Sequence, residues 1–319
     1  MAICSSPASD LLVQEGCSPL VLPPWSLTSH VVLNRAAPWT LVHGDAIDVL
    51  RQIPAGFADA LITDEPYSSG GMMRSDRLAP VAVKYSPTRA YPTFSGDNRD
   101  ARSWLFWCLL WLSECARIVR PGGYVLLFSD WRQLPLVTDL FQAANGLLLR
   151  GIIPWDKGPT ARAPHTGYAR HQCEYIIWGS VGSLAPADGR GPFPGCYHIP
   201  LPPAEKEHLT AKPVALMRAL ARMVPPDGLI LDPFAGSAST GIGALLERRR
   251  FLGVELGGDF IAPAQRRLAA AMQARLLLER RAAATVDLER EEVALPQPLP
   301  PGDPRRGLVV GWPWRGGAR

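Results

Sequence analysis

The chain has 319 residues, of which 47% are hydrophobic, and a net charge of +4. This apolar fraction excludes a wholly disordered chain, and the longest strongly apolar stretch, residues 104–112 (WLFWCLLWL), is far shorter than the roughly 20 residues that span a membrane. The six cysteines form no C-x-x-C pair and the N-terminus has no secretory pattern, so we expect no zinc site, no disulfide framework and a cytoplasmic protein.

The first half predicts alternating strands and helices behind an N-terminal arm over residues 1–37. Short apolar runs that end at turn residues favour buried strands, and longer runs with an apolar face favour helices. The predicted elements are a strand ending at His43, helix Ala46–Gln52, strand Ala58–Thr63, helix Ser103–Val119 closed by Pro121-Gly122-Gly123, strand Tyr124–Phe128 and helix Gln133–Ala144. The polar segment between the second strand and the next helix is too long for an ordinary connection, which favours a functional role.

The second half continues the alternation. Its predicted elements are strands Leu147–Trp155 and Glu174–Trp178, a Pro/Gly-rich connection over residues 180–207, helix Pro213–Val224, strand Leu229–Leu231, helix Thr240–Arg248, strand Phe251–Glu255 and helix Phe260–Arg281. Such alternation predicts an α/β fold with a mostly parallel central sheet flanked by helices. We therefore expect one folded domain over residues 38–285 and a C-terminal tail over residues 286–319, whose Pro/Gly-rich part after about Leu295 should be loose.

A loop of small residues over Asp232–Ser239 follows one predicted strand, and Glu255 ends the next. Ligands of open α/β sheets bind beyond the carboxyl ends of strands, where small residues let the backbone approach closely. The acid at the second strand end has the spacing of a carboxylate that binds ribose hydroxyls. Loop and acid together predict a ligand that contains adenosine, whereas for the loop alone a structural turn is the alternative.

A second motif, Asp64-Glu65-Pro66-Tyr67, follows the strand Ala58–Thr63. An exocyclic amino nitrogen is a poor nucleophile because its lone pair is delocalised into the base. The Asp64 carboxylate and the Glu65 carbonyl could accept its two hydrogens and direct the lone pair outward, while Tyr67 offers a face on which an extruded base could stack. Taken alone, this tetrapeptide could be only a turn.

Four segments together resemble the amino-methyltransferases of DNA. Asp64–Tyr67 is similar to their Asp/Asn/Ser-Pro-Pro-Tyr loop, His208–Pro213 to their H-x-T-x-K-P element, Asp232–Ser237 to their D-P-F-x-G-S/T loop, and His43-Gly44-Asp45 to a Gly-Asp pair beside the cofactor's adenine. The catalytic half precedes the cofactor half, which resembles the circularly permuted beta class. The resemblance implies a Rossmann-like methyltransferase fold that uses S-adenosylmethionine and flips its target base.

The resemblance also implies roles for particular residues. Asp64, Glu65, Pro66 and Tyr67 become catalytic, and Glu65 departs from the usual proline at a position that contributes backbone. An aspartate in the first position favours adenine N6 over cytosine N4. The implied cofactor-binding residues are Asp45, Ala46, Asp64, Thr210, Lys212, Asp232, Phe234, Ala235, Gly236, Ser237 and Glu255.

Two basic segments, residues 68–102 and 157–207, are candidates to contact double-stranded DNA. The candidate residues are Arg74, Arg77, Lys84, Arg89, Arg99, Arg102, Lys157, Arg162 and Arg170, with a solvated surface as the alternative for each. The resemblance further implies a nucleoid-associated enzyme of bacterial or phage type, with a homodimer expected from the family alone. Transfer to cytosine N4 or to RNA, and a catalytically silent DNA-binding protein in which Glu65 marks decay, are the competing hypotheses.

Overall fold

The computed structural model describes residues 37–66, 101–159, 161, 163, 165–184, 186, 189–200 and 212–293. Four parts of the chain lie outside the described residues: the predicted arm up to residue 36, the predicted stacking residue Tyr67, most of the segment 68–102 and the tail beyond residue 293. The chain divides into two units, Met1–Arg275 and Leu276–Arg319.

Eight strands and six helices form within the described residues. The strands are β1 (Trp39–His43), β2 (Ala58–Thr63), β3 (Val119–Ser129), β4 (Leu147–Asp156), β5 (Cys173–Val181), β6 (Tyr197–His198), β7 (Leu229–Asp232) and β8 (Arg250–Glu255). The helices are α1 (Ala46–Leu50), α2 (Ala101–Ile118), α3 (Leu134–Ala143), α4 (Val214–Ala221), α5 (Ser239–Leu246) and α6 (Gly258–Val293). None of these helices is long and apolar enough to cross a membrane.

The eight strands form one sheet in the order β1-β8-β7-β2-β3-β5-β4-β6. Each strand is parallel to its neighbours except β5, which is antiparallel to both β3 and β4. All six residues of β2 are buried, as expected of a central parallel strand covered on both faces. The predicted mostly parallel α/β sheet is therefore confirmed, with one antiparallel strand added.

Alternate residues of β2 face the two halves of the core. Ala60 and Ile62 belong to a cluster that includes buried side chains of α4, α5 and α6. Leu61 belongs to a second cluster with apolar side chains of α1, α2 and α3. The sheet is thus a rigid platform between two helical layers, and the turns at its carboxyl edge are positioned by it.

Three local predictions need correction. Pro121-Gly122-Gly123 does not close a helix but lies within β3, where a side chain on Gly123 would collide with the Asp59 carbonyl and the Val119 side chain, so only glycine allows this approach to β2. The two-residue strand β6 was not predicted. Helix α6 continues to Val293, beyond the predicted helix end near Arg281.

Candidate active site

The turn after β2 and the loop after β7 leave the sheet side by side. The two strands are parallel neighbours, with Leu61 opposite Leu231. The last residue of β2, Thr63, donates from Oγ1 to Oδ1 of Asp232 at 2.6 Å. The two motifs that the sequence singled out are therefore joined by a buried hydrogen bond at the carboxyl edge.

Asp232 anchors the loop after β7 from below. Its carboxylate is buried and also accepts from the Phe234 amide at 3.1 Å. Burial raises the pKa of Asp232 to about 6, although hydrogen bonds from Thr63, Thr240 and the Phe234 amide oppose the shift. A carboxyl group that ionises close to neutral pH thus lies beneath this loop.

The loop itself is a cradle of small residues. Gly236 has φ +49°, and a side chain built on it would meet no atom within 4 Å, so space opens at this position. Ala238 adopts the left-handed conformation and starts α5. The hydroxyl of Ser239 is buried and has no hydrogen-bond partner among the described residues. An open cradle with an unused hydroxyl fits a small polar ligand.

Glu255 at the end of β8 fastens the same loop. Its Oε2 accepts from the Gly236 amide at 2.8 Å and its Oε1 from the Gly257 amide at 2.6 Å. Burial raises the pKa of Glu255, and both backbone bonds oppose the rise. The carboxylate therefore helps to fix the conformation of the loop. The sequence predicted a ribose contact for Glu255 but not this structural role.

The predicted Gly-Asp pair lies at the same edge. His43 is opposite Glu255 in the β1–β8 ladder, and the Gly44 amide donates to the Glu255 carbonyl at 3.0 Å. Asp45 is exposed and caps α1, since its Oδ1 accepts from the Ile47 amide at 2.8 Å. Ala46, the next residue, is buried. The sheet thus brings Asp45 and Ala46 beside Glu255, as a shared ligand would require.

Asp64 belongs to a chain of alternating charges. Lys212 Nζ lies 2.7 Å from Asp64 Oδ1 and 2.8 Å from Oδ2. The same ammonium is 3.3 Å from Glu174 Oε2, and Lys157 donates to Glu174 Oε1 at 3.0 Å. Burial raises the pKa of Asp64 and Lys212 opposes the rise. Burial acts on Glu174 too, but the two lysines hold its pKa below the usual range.

This ion chain changes the expected surroundings of two predicted residues. Lys212 was expected to close over the cofactor, and it pairs with Asp64. Lys157 was expected to contact DNA, and it is committed to Glu174 with only 15% of its side chain exposed. Glu174 itself was missed, because a single acid at the start of a predicted strand gives no signal of a partner far away in sequence.

Glu65, which stands at the position of the family's usual proline, turns its side chain into the protein. The residue is 1% exposed, and neither carboxyl oxygen has a hydrogen-bond partner among the described residues. Burial raises its pKa well above the ordinary value. The carboxyl group is thus enclosed by the protein rather than presented at the surface.

Three tryptophans of α2 contact the turn after β2 and the loop after β7. Trp104 donates from Nε1 to the Pro66 carbonyl at 2.7 Å. Trp107 and Trp111 contact the Phe234 ring, with centroids 5.3 Å and 5.0 Å away. The sequence predicted only a buried helix here. The spacing of the tryptophans by three and four residues was the available signal, because it places them on one helical face.

The described part of the candidate DNA surface lies at the same edge. The loop 157–172 connects β4 to β5, whose first residues pair with the end of β3. Trp131, which follows β3, is 52% exposed and its Nε1 is 3.3 Å from His171 Nδ1. Arg102 and Arg170 are exposed. The remaining candidates Arg74, Arg77, Lys84, Arg89, Arg99 and Arg162, and the cofactor candidate Thr210, lie outside the described residues.

Comparison with known sequences gives consistent matches. A family model described as DNA methylase, covering N6 and N4 enzymes, matches residues 58–185 and 191–266. The protein YubD of Escherichia coli (strain K12) is 30% identical over 244 residues, which cover 73% of this chain and 91% of YubD. The DNA adenine methyltransferase YhdJ of the same organism is 26% identical over 264 residues, which cover 72% of this chain and 82% of YhdJ.

Solved structures share the fold. The complex of M1.HpyAVI with S-adenosylmethionine superposes with a TM-score of 0.53 at 22% identity, covering 72% of this chain and 98% of that one. The cytosine-N4-specific PvuII DNA methyltransferase gives a TM-score of 0.56 at 16% identity, covering 72% and 86%. The modification methylase TTHA0409 of Thermus thermophilus with S-adenosylmethionine gives 0.51 at 23% identity, covering 73% and 93%.

Proposed function

Because the chain belongs to the N6/N4 family of DNA methylases, we propose that it transfers a methyl group from S-adenosylmethionine to adenine N6 at a specific sequence of double-stranded DNA. The observation that carries the proposal is the buried hydrogen bond between Thr63 and Asp232, which joins the catalytic turn to the cofactor loop. The turn precedes the loop in the chain, which supports the circularly permuted beta arrangement.

The loop after β7 and its neighbours fit S-adenosylmethionine. Asp232, Phe234, Ala235, Gly236 and Ser237 surround the methionine part, with Ser239 Oγ as a further hydrogen-bonding group. Asp45, Ala46 and Glu255 bind the adenosine. Thr210, which lies outside the described residues, is a further cofactor-binding residue in this proposal. When bound, the sulfonium supplies an electrophilic methyl group. The open space at Gly236 supports this placement.

Asp64 and the Glu65 carbonyl prepare the target nitrogen. Two acceptors on the two amino hydrogens draw the lone pair out of the ring system and fix its direction. Lys212 favours the ionised form of Asp64 in a site where burial favours the neutral acid. The nitrogen must lose one proton as it gains a methyl group, and the Asp64 carboxylate is the base that this turn provides. Tyr67 stacks on the base, which stabilises the extruded state by roughly 1–3 kcal/mol.

DNA lies along the carboxyl edge in this proposal. Arg102, Arg170 and the basic residues outside the described ranges contact phosphates, and a few arginines read guanine edges. The exposed Trp131 and Tyr168 extend the same edge with aromatic faces, each beside a histidine. Affinity for DNA should therefore fall as the salt concentration rises, because binding of the protein releases cations that are condensed on the duplex.

The experiment combines labelled S-adenosylmethionine, mixed-sequence DNA and mass spectrometry of the digested nucleosides. We expect N6-methyladenine. Recovery of N4-methylcytosine would replace the proposed base, and label found only in RNA would replace the substrate. DNA binding without any transfer would favour a catalytically silent protein.

Asp64→Ala provides the matched variant for this assay. It removes one acceptor and the base of the turn, so transfer should fall by at least about 10²–10³-fold. Binding of S-adenosylmethionine, measured by calorimetry, should change little because the cofactor loop does not depend on Asp64. Normal methylation by this variant would contradict the role assigned to Asp64.

A further inference from the structure

The carbonyl of Pro66 has an unusual partner for a turn residue. It accepts a hydrogen bond at 2.7 Å from the indole nitrogen of Trp104, a side chain that is fully buried in α2. Pro66 lies between Glu65, whose carbonyl is one acceptor for the target amino group, and Tyr67, the stacking residue. A bond at this carbonyl therefore acts at the centre of the catalytic turn.

Elementary backbone geometry shows what this bond adds. The proline ring fixes φ of Pro66, and a residue before proline is restricted to extended conformations, which limits Glu65. The torsion that remains free is ψ of Pro66, and it sets both the direction of the Pro66 carbonyl and the path of the chain into Tyr67. A donor held at a fixed place removes that last freedom.

The donor is held by the same helix that contacts the cofactor loop. Trp107 and Trp111 pack on Phe234 from successive turns of α2. Trp104 has no solvent exposure, so its indole cannot follow the turn if the turn shifts. Helix α2 therefore fixes the position of the Pro66 carbonyl relative to the loop after β7.

We propose that Trp104 is a positioning residue of the methyl transfer, whose indole N–H fixes the Asp64–Pro66 turn relative to the cofactor loop. The inference rests on the proposed function for its kinetic consequence, but its structural content does not depend on the reaction. Trp104 touches neither the target base nor the cofactor in this scheme. It acts through the backbone of the turn.

The decisive variant replaces Trp104 with benzothienylalanine, in which sulfur takes the place of the indole N–H while shape and packing are retained. Trp104→Phe is the second, simpler variant. We expect turnover to fall by about 10–100-fold, since a displacement of about 1 Å at a reacting group can cost 10²-fold. The affinities for S-adenosylmethionine and DNA should stay within about twofold, because the binding surfaces are not altered.

Trp178→Phe is the matched control for the loss of a tryptophan. Trp178 lies on β5 against Tyr124, away from both turns, and the variant should keep turnover within about twofold of the wild type. A benzothienylalanine variant with wild-type turnover would overturn the proposal. So would a parallel loss of cofactor affinity, which would indicate a merely structural role.

Crystal structures of the wild type and the benzothienylalanine variant give a readout that needs no activity. We expect the Pro66 carbonyl to move in the variant while the loop over residues 232–239 stays in place. An unmoved turn overturns the role of Trp104, whether or not the wild type transfers a methyl group. If the wild type shows the bond and the variant shows the shift, but the wild type transfers no methyl group, the result would instead count against the proposed function.

Discussion

The loop after β7 and the turn after β2 are neighbours that are stabilised in different ways. The loop is bonded, through its own backbone amides and Asp232, to the ends of the two adjacent strands, β2 and β8. The turn has few bonds of its own. Asp64 depends on Lys212, the Pro66 carbonyl depends on Trp104, and the carboxyl group of Glu65 has no partner among the described residues.

This difference separates a binding element from a reactive one. A loop whose backbone amides are already bonded to the adjacent strand is formed before its ligand arrives, which reduces the entropic cost of binding. In the proposed function the turn accepts the hydrogen bonds of the substrate through the Asp64 carboxylate and the Glu65 carbonyl, whereas the Glu65 carboxyl group is buried inside the protein. The cost is that the stability of the turn depends on residues from distant parts of the chain.

Lys212→Met should have the largest effect within this comparison. It leaves Asp64 and Glu174 without their shared cation, and removing one partner of a buried pair costs about 3–5 kcal/mol. The pKa of Asp64 should rise further, so transfer at neutral pH should fall by about 10²-fold and recover in part as pH rises and Asp64 ionises. Chemical unfolding and a pH–rate profile measure the two effects.

Lys157→Met is the control for this variant. It removes the other cation of Glu174 but does not touch Asp64, so some stability should be lost without a shift in the pH–rate profile. The same profile in both lysine variants would show that the ion chain acts only through stability. The turn would then not depend on Lys212 for its charge.

Asp232→Asn tests the loop. With a pKa of about 6, Asp232 is neutral in mild acid and ionised above neutrality. A cationic ligand prefers the ionised form, so affinity for S-adenosylmethionine should increase by up to about tenfold between pH 5 and 7.5, which corresponds to one unit of coupled pKa shift. The variant should lose this pH dependence.

S-adenosylhomocysteine, which lacks the sulfonium charge, is the control ligand for that titration. Its affinity should depend less on pH than that of S-adenosylmethionine. Equal slopes for the two compounds would exclude a charge interaction between Asp232 and the sulfonium. Equal slopes in wild type and Asp232→Asn would assign the titration to Asp64 or Glu255 instead.

Glu65→Gln should have the smallest effect on turnover, because this position contributes its carbonyl. Burial raises the pKa of Glu65 in the folded state, so the wild type loses stability as pH rises from the unfolded value of about 4.5 towards the folded one. The variant should therefore be more stable than the wild type at pH 8, and not at pH 4. Thermal unfolding of both proteins at both pH values tests this prediction. A stability difference that is the same at pH 4 and pH 8 would contradict it.

The sequence predicted the loop better than the turn for a physical reason. Short apolar runs located β2, β7 and β8, and parallel strands place the residues after their carboxyl ends at one edge, so Asp232 and Glu255 could be brought together in advance. Ala58–Thr63 matches β2 in both bounds. These predictions need only the local sequence pattern and the parallel order of the strands.

The supports of the turn are not local. Lys212, which lies just before α4, pairs with Asp64 and with Glu174 of β5, and Trp104 comes from a helix that was predicted only as buried. Composition and periodicity indicate that such side chains are inside, but not which polar atom each one reaches. The orientation of Glu65 was likewise inaccessible, because a residue in a turn has no face set by periodicity.

A crystal structure with S-adenosylmethionine bound tests the central claim most directly. We expect the methionine part within residues 232–239 and the methyl group facing Asp64, about 6 Å from its carboxylate, which leaves room for one amino nitrogen in hydrogen-bond and attack contact. A cofactor bound at another edge of the sheet, or a methyl group directed away from Asp64, would contradict it.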